Sequence, residues 1–217
     1  SALHWAKYVD DDVPIELLWR NGRPPSGLIV RNEIYAADEV TTYDGIPLTT
    51  PARTIFDLGR HLNRDAAVAR IDALLWLGRV GVPDVEPIAA RYPWARGVEK
   101  LRVALELADD GAESPRESRL RLLLTDAGMR PTDTQIPVYE GNRLITKFDM
   151  GWKQLRIGVQ YEGKHHQTDR GQYVYDLQVL PKLEARNWIV VKVIKEDTDN
   201  DVLARVAAAL YRRGWRA

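Results

Sequence analysis

Apolar and polar positions follow two different rhythms along this chain, and the change of rhythm predicts its elements. From Lys147 to His166 alternating β-formers (Phe148; then Leu155, Ile157, Val159 and Tyr161) flank Trp152-Lys153-Gln154, which predicts two short strands joined by a tight turn. Strand side chains alternate, so Gln160, Glu162 and Lys164 share one face and Val159, Tyr161 and Gly163 the other. A turn centred on Lys153 and Gln154 pairs Asp149 with Gly158 and makes Gln160 its diagonal neighbour on the same face, about 7–8 Å away. Trp188 to Ile194 is a nearly continuous apolar run, which predicts a strand central in its sheet.

The first half has short β-like runs at Pro14–Trp19, Gly27–Arg31 and Val40–Tyr43, with hairpin dipeptides Asn21-Gly22 and Asp44-Gly45, so a small antiparallel sheet is expected. Thr50 as cap and Pro51 at the first position open a helix, apolar spacing from Ala66 to Leu77 gives a second, Pro83-Asp84 opens a third, and Val98 to Ala108 a fourth. Arg53 and Asp57, four apart, read as an ion pair on the surface of the first helix.

Asp109 to Ala112 is the expected seam, giving domains of residues 1–112 and 113–217. Ser114-Pro115-Arg116-Glu117 is a capping-box signature, and Gly128 closes the helix it opens. Gln167 to Asn187 is helical in tone but split by Pro181, and Thr198 to Arg213 forms the last helix. The second half thus reads helix, three strands, helix, strand, helix: an α/β sandwich with a mixed sheet flanked by helices, after an α+β first half.

Composition narrows the function. With 217 residues and 45% hydrophobic content, one large or two small cores are affordable to the chain. No apolar run reaches the ~18 residues of a membrane span, and no signal-peptide pattern appears. Absence of cysteine excludes disulfides and thiolate zinc sites and fits a cytoplasmic location. Formal charge is zero overall, yet Ser1–Glu113 holds 13 Lys+Arg against 18 Asp+Glu and Ser114–Ala217 holds 18 against 13, giving −5 and +5. Only the second half carries the excess positive charge that phosphate binding favours; uneven scatter of solvated charge is the plain alternative.

Asp149, Gln160, Glu162 and His166, followed by Gln172-Tyr173-x-x-Asp176 and the strand from Asn187, resemble the bacterial domain-of-unknown-function family related to very-short-patch-repair endonucleases. That family belongs to the restriction-endonuclease-like, PD-(D/E)xK class, and the resemblance runs from about Ser114 to the end. It implies a restriction-endonuclease-like core and hydrolysis of DNA phosphodiesters with one Mg2+ or Mn2+ held by Asp149, Gln160 and Glu162. His166, Lys164 or Glu117 would assist, His166 by moving a proton near neutral pH and Lys164 by steadying phosphorane charge. The family pattern has a carboxylate where Gln160 stands and Asp where Glu162 stands. Glu162-Gly163-Lys164 also spells Glu-x-Lys, one strand pair late by the family register.

Each of these residues has a plainer account. Glu117 is explained by the capping box, and one rotamer could not serve both the cap and a metal. His165 and His166 could be a surface pair, and Trp152 a core residue. Arg116, Arg119, Trp152 and Arg170 are the candidate DNA contacts. His4 and His61 read as structural.

Ile46-Pro-Leu-Thr-Thr-Pro-Ala-Arg-Thr-Ile-Phe-Asp-Leu58 resembles the segment before the helical part of abortive-infection-type antitoxins. The resemblance implies a winged-helix DNA-binding region preceding it, expected in a missing amino terminus because the text opens Ser-Ala-Leu-His-Trp without Met. Three functions follow as expectations: a Mg2+- or Mn2+-dependent DNA endonuclease; a non-cutting DNA-binding regulator or toxin-antitoxin component, motivated by Gln160; and an interaction module. DNA is the expected partner, with a homodimer or an unknown protein partner also possible and no membrane.

Overall fold

The computed structural model describes residues 4–6, 15–19, 26–162 and 175–216 of the chain, which divides into two compact units, Ser1–Asp110 and Gly111–Ala217. In the first, β1 (Ile15–Leu18) and β2 (Leu28–Arg31) pair, as do β3 (Val40–Tyr43) and β4 (Ile46–Thr49). The β3–β4 hairpin turns at Asp44 and Gly45, both at positive φ (48° and 77°), the type I′ geometry that Asp-Gly favours. The other pair departs from the expected antiparallel sheet. β1 and β2 run parallel, Ile15 beside Leu28 and Leu18 beside Arg31, whereas strands joined by a two-residue hairpin turn are antiparallel. Asn21-Gly22 lies outside the described residues.

Helices α1 (Pro51–His61), α2 (Arg64–Leu75), α3 (Val82–Arg91) and α4 (Val98–Leu107) complete this unit. Thr50 caps α1 by accepting the Arg53 N–H at 3.3 Å, and Asn63 caps α2 through the Ala66 N–H at 2.9 Å. Ile55, Phe56, Val68, Ile71, Leu74, Val85 and Leu101 are fully buried between them. At Gly59 a Cβ would overlap Leu101, so this glycine sets how closely α1 and α4 approach.

The second unit is α/β: α5 (Pro115–Asp126), β5 (Asp133–Glu140), β6 (Arg143–Trp152), β7 (Ile157–Glu162), a single π-helical stretch (Tyr175–Val179) running into α6 (Leu180–Glu184), β8 (Ile189–Ile194) and α7 (Asp199–Arg212). The strand order is β5-β6-β7-β8, antiparallel except that β7 and β8 are parallel, hence a mixed sheet. One face buries Met150, Trp152, Ile157, Val159, Val191 and Val193 against Leu120 and Leu124 of α5 and Val202, Val206 and Leu210 of α7. The other buries Ile136, Val138 and Phe148 against Leu183 of α6, with Trp188 and Val190 alongside.

Two expectations are corrected here. β8 ends the strand order instead of lying centrally; its apolar run, broken only by Lys192, exists because both of its faces are covered by helices, which depends on the layers and not on position within the sheet. The β6–β7 connection is also longer than a tight turn. Trp152 pairs with Ile157, and Lys153–Arg156 form a helical turn that ends with Arg156 at φ 51°. Pro181 divides the segment as expected, but it lies in the first turn of α6, where a missing N–H is best tolerated, and not inside a longer α-helix. No helix among the described residues is long and apolar enough to cross a membrane.

Candidate functional site

The four-residue turn moves the β6–β7 register by two from the expected one. Gly158 pairs with Gly151, not with Asp149, and the last pair is Met150 with Val159. Continued by one step, that register would set Asp149 against Gln160 in place of the expected diagonal arrangement. Backbone pairing stops there because the Asp149 carboxylate takes its place: Oδ2 accepts the Tyr161 N–H at 2.6 Å.

Strict alternation also fails at Asp149. Phe148 and Met150, two apart, belong to opposite faces of the sheet, and across β5 Gln135 adopts φ 50° between Thr134 and Ile136, which pair with Met150 and Phe148. A residue at such a switch is turned out of both apolar layers. Burial pushes the Asp149 carboxyl up to about 7; the Tyr161 N–H opposes this, the negative charges of Glu117 and Glu113 add to it, and Lys147 opposes it.

Glu117 is occupied by the cap. Its carboxylate accepts the Glu113 N–H at 2.9 Å, the Ser114 hydroxyl at 2.8 Å and the Gln135 amide at 3.2 Å, while the Ser114 hydroxyl oxygen accepts the Glu117 N–H. The Gln135 Oε1 is buried without a protein hydrogen-bond partner. Asp149, Glu117 and Gln135 therefore form one oxygen-rich corner, and Gln135 is a member that strand periodicity could not single out.

Glu162 has a different neighbourhood. Its carboxylate meets the Lys192 ammonium at 3.0 Å, and Lys192 sits 3.8 Å above the centre of the Tyr175 ring. The Tyr175 hydroxyl donates to Gln160 Oε1 at 3.3 Å, and Gln160 and Lys192 are register partners across β7 and β8. Lys192 and Tyr175 were not legible as site residues, because only the parallel β7–β8 pairing brings them to Glu162.

The candidate DNA contacts separate as well. Trp152 is 5% exposed inside the core, its indole N–H donating to the Arg130 carbonyl at 3.1 Å, so it has no ring face to offer a base. Arg116 reaches the Tyr161 hydroxyl at 2.9 Å and lies over its ring, and Arg119 is exposed, 3.6 Å from Asp199. Lys164, His166 and Arg170 lie outside the described residues.

The first unit contains a charged cluster that the sequence concealed. Arg53 is wholly buried: it donates to Asp57 at 3.0 Å, to Glu39, to the Ile34 carbonyl at 3.1 Å and to Glu33 at 3.3 Å. Its pairing with Asp57 is thus interior, not the expected surface ion pair; residues from the β2–β3 connection close over it. Arg60 holds Glu33 and Asp57, and buried Glu39 also accepts from Arg91 and, at 2.9 Å, the Tyr92 hydroxyl. Burial alone would raise the Glu39 carboxyl, but bonds from Arg53, Tyr92 and Arg91 bring it below the usual range. Glu33, Asp57 and His61 come close enough together to suggest a metal. Arg53 and Arg60 already occupy those carboxylates, and burial, with the charges of Arg31 and Arg60, pushes the His61 imidazole below its usual range although Glu33 lies 3.1 Å away. The cluster is a charge-matched clamp on residues 33–39.

Geometry thus defines an α+β unit with a buried ionic clamp and a mixed-sheet α/β unit with a polar strand end. Residues 13–107 match a family described as the AbiEi antitoxin C-terminal domain, so the first unit is antitoxin-like. Two curated relatives, both uncharacterized proteins of Mycobacterium tuberculosis (strains CDC 1551 and H37Rv), are 29% identical over 195 residues, covering 90% of this chain and 71% of theirs. No solved structure matches.

Proposed function

We propose that this protein is a DNA-binding regulator or toxin-antitoxin component whose second unit has a restriction-endonuclease-like, nuclease-derived architecture that holds DNA without cutting it. The observation that carries this reading is the antitoxin family match over residues 13–107. Gln160, which brings no charge, and the pairing of Glu162 with Lys192, which offsets the charge Glu162 brings, support it. The positive excess of Ser114–Ala217, with Arg116 and Arg119 on α5, supplies the phosphate-binding side.

Fluorescence anisotropy with a DNA duplex tests it. Binding in EDTA that weakens steeply with salt, and that Arg116→Ala with Arg119→Ala reduces several-fold, is expected; no binding at low salt sinks the reading. A second reading, a Mg2+- or Mn2+-dependent endonuclease, is favoured by one observation, the corner of Asp149, Glu117 and the unpartnered Gln135 Oε1. Nicking of supercoiled plasmid in Mn2+, abolished by Asp149→Ala, would select it.

A further inference from the structure

We propose that Lys192 is a built-in cation, standing at Gln160 and Glu162 in place of a divalent ion, so that these two side chains are not metal ligands in this protein. The inference rests on the non-cutting reading of the second unit and adds to it the residue responsible.

Gln160 and Glu162 lie on the β7 face that continues from Gly158, and Lys192 rises beside them from β8. A divalent ion is held by oxygen ligands whose negative charge exceeds what neighbouring cations neutralise. Among these four described side chains the formal charges cancel: one carboxylate, one ammonium, one amide and one phenol. The ammonium is fixed from two directions, by Glu162 at 3.0 Å and by the Tyr175 ring face at 3.8 Å, and both charged side chains are about four-fifths buried. Tyr175 in turn engages the one oxygen Gln160 could offer. A metal entering would have to displace a tethered ammonium and then share a single carboxylate with it, at a separation where like charges repel strongly in a partly buried site.

The pairing also explains why Gln160 is tolerable. With a glutamate there, two carboxylates would face one lysine, and the site would regain the single negative charge that attracts a divalent ion. Charge at this strand end is therefore set by the pair of residues 160 and 192, which are register partners on adjacent parallel strands.

The test is Mn2+ binding to the full chain, by titration calorimetry and by electron paramagnetic resonance of free Mn2+, with circular dichroism confirming the fold of each variant. Wild type is expected either to bind no Mn2+ at millimolar concentrations or to bind it in a way that Glu162→Gln leaves unchanged. The double variant Gln160→Glu, Lys192→Met should gain at least tenfold in Mn2+ affinity, and that gain should vanish when Glu162→Gln is added. Mn2+ binding by wild type that Glu162→Gln abolishes overturns the proposal, as does a folded double variant with no gain. Loss of DNA binding would sink the functional reading without touching this outcome, since Mn2+ titration uses no DNA.

Discussion

Asp149 is the residue at which strand geometry, burial and charge meet, and its protonation has a measurable consequence. Its folded-state value of about 7 lies above that of an unfolded aspartate, so between about pH 4 and 7 the folded protein binds more protons than the unfolded one. Stability contributed by this group is therefore present at the acid end and lost as pH rises through 7. Asp149→Asn, whose amide oxygen can still accept the Tyr161 N–H, should be more stable than wild type at pH 8 and close to it near pH 4; chemical denaturation at the two pH values measures this. Arg53 makes the opposite kind of prediction. Removing it by Arg53→Ala takes the cation from between Glu33, Glu39 and Asp57, leaving the buried Glu39 only Arg91 and Tyr92, and should cost roughly 3–5 kcal/mol in urea unfolding, far above the few tenths of a kcal/mol of an exposed i,i+4 pair. The four-residue spacing of Arg53 and Asp57 was visible in the sequence. Its burial was not, because Glu33, Glu39 and Arg91 reach it from separate elements.

Helices and turns were largely legible, since their signals are local. Thr50, Ser114 and Thr198 each cap the helix anticipated, Asp44-Gly45 turns its hairpin, and Gly128 ends α5 at φ 73°. Ser114→Ala should cost about 1 kcal/mol of thermal or chemical stability, because the Glu117 N–H loses its acceptor and Glu117 loses a donor. Sheet register was less legible, since it depends on how many residues the β6–β7 turn uses and on the face switch at Asp149. That switch leaves Phe148 lying over Gly158, where a Cβ would overlap the ring. Gly158→Ala should therefore destabilise by about 1–3 kcal/mol through overpacking, read as a lower denaturation midpoint at unchanged slope.

At the scale of the whole molecule, each unit has its own buried core, so residues 111–217 expressed alone should unfold cooperatively and retain the salt-dependent DNA affinity, while residues 1–110 should lack it. Calorimetry and anisotropy on the two fragments check this; DNA affinity residing in residues 1–110 alone would reverse the assignment. The amino-acid sequence by itself determined the division of charge, the helix ends, the order of elements and the α/β class of the second half, because caps, turns and periodicity act over a few residues. Only the tertiary structure decided that β1 and β2 run parallel, that Arg53 is interior, and that Glu162 belongs to Lys192. Each of those depends on which distant segments share a layer, and the free energy of burying a charge or a strand edge is a property of that layer, not of the neighbouring residues in the chain.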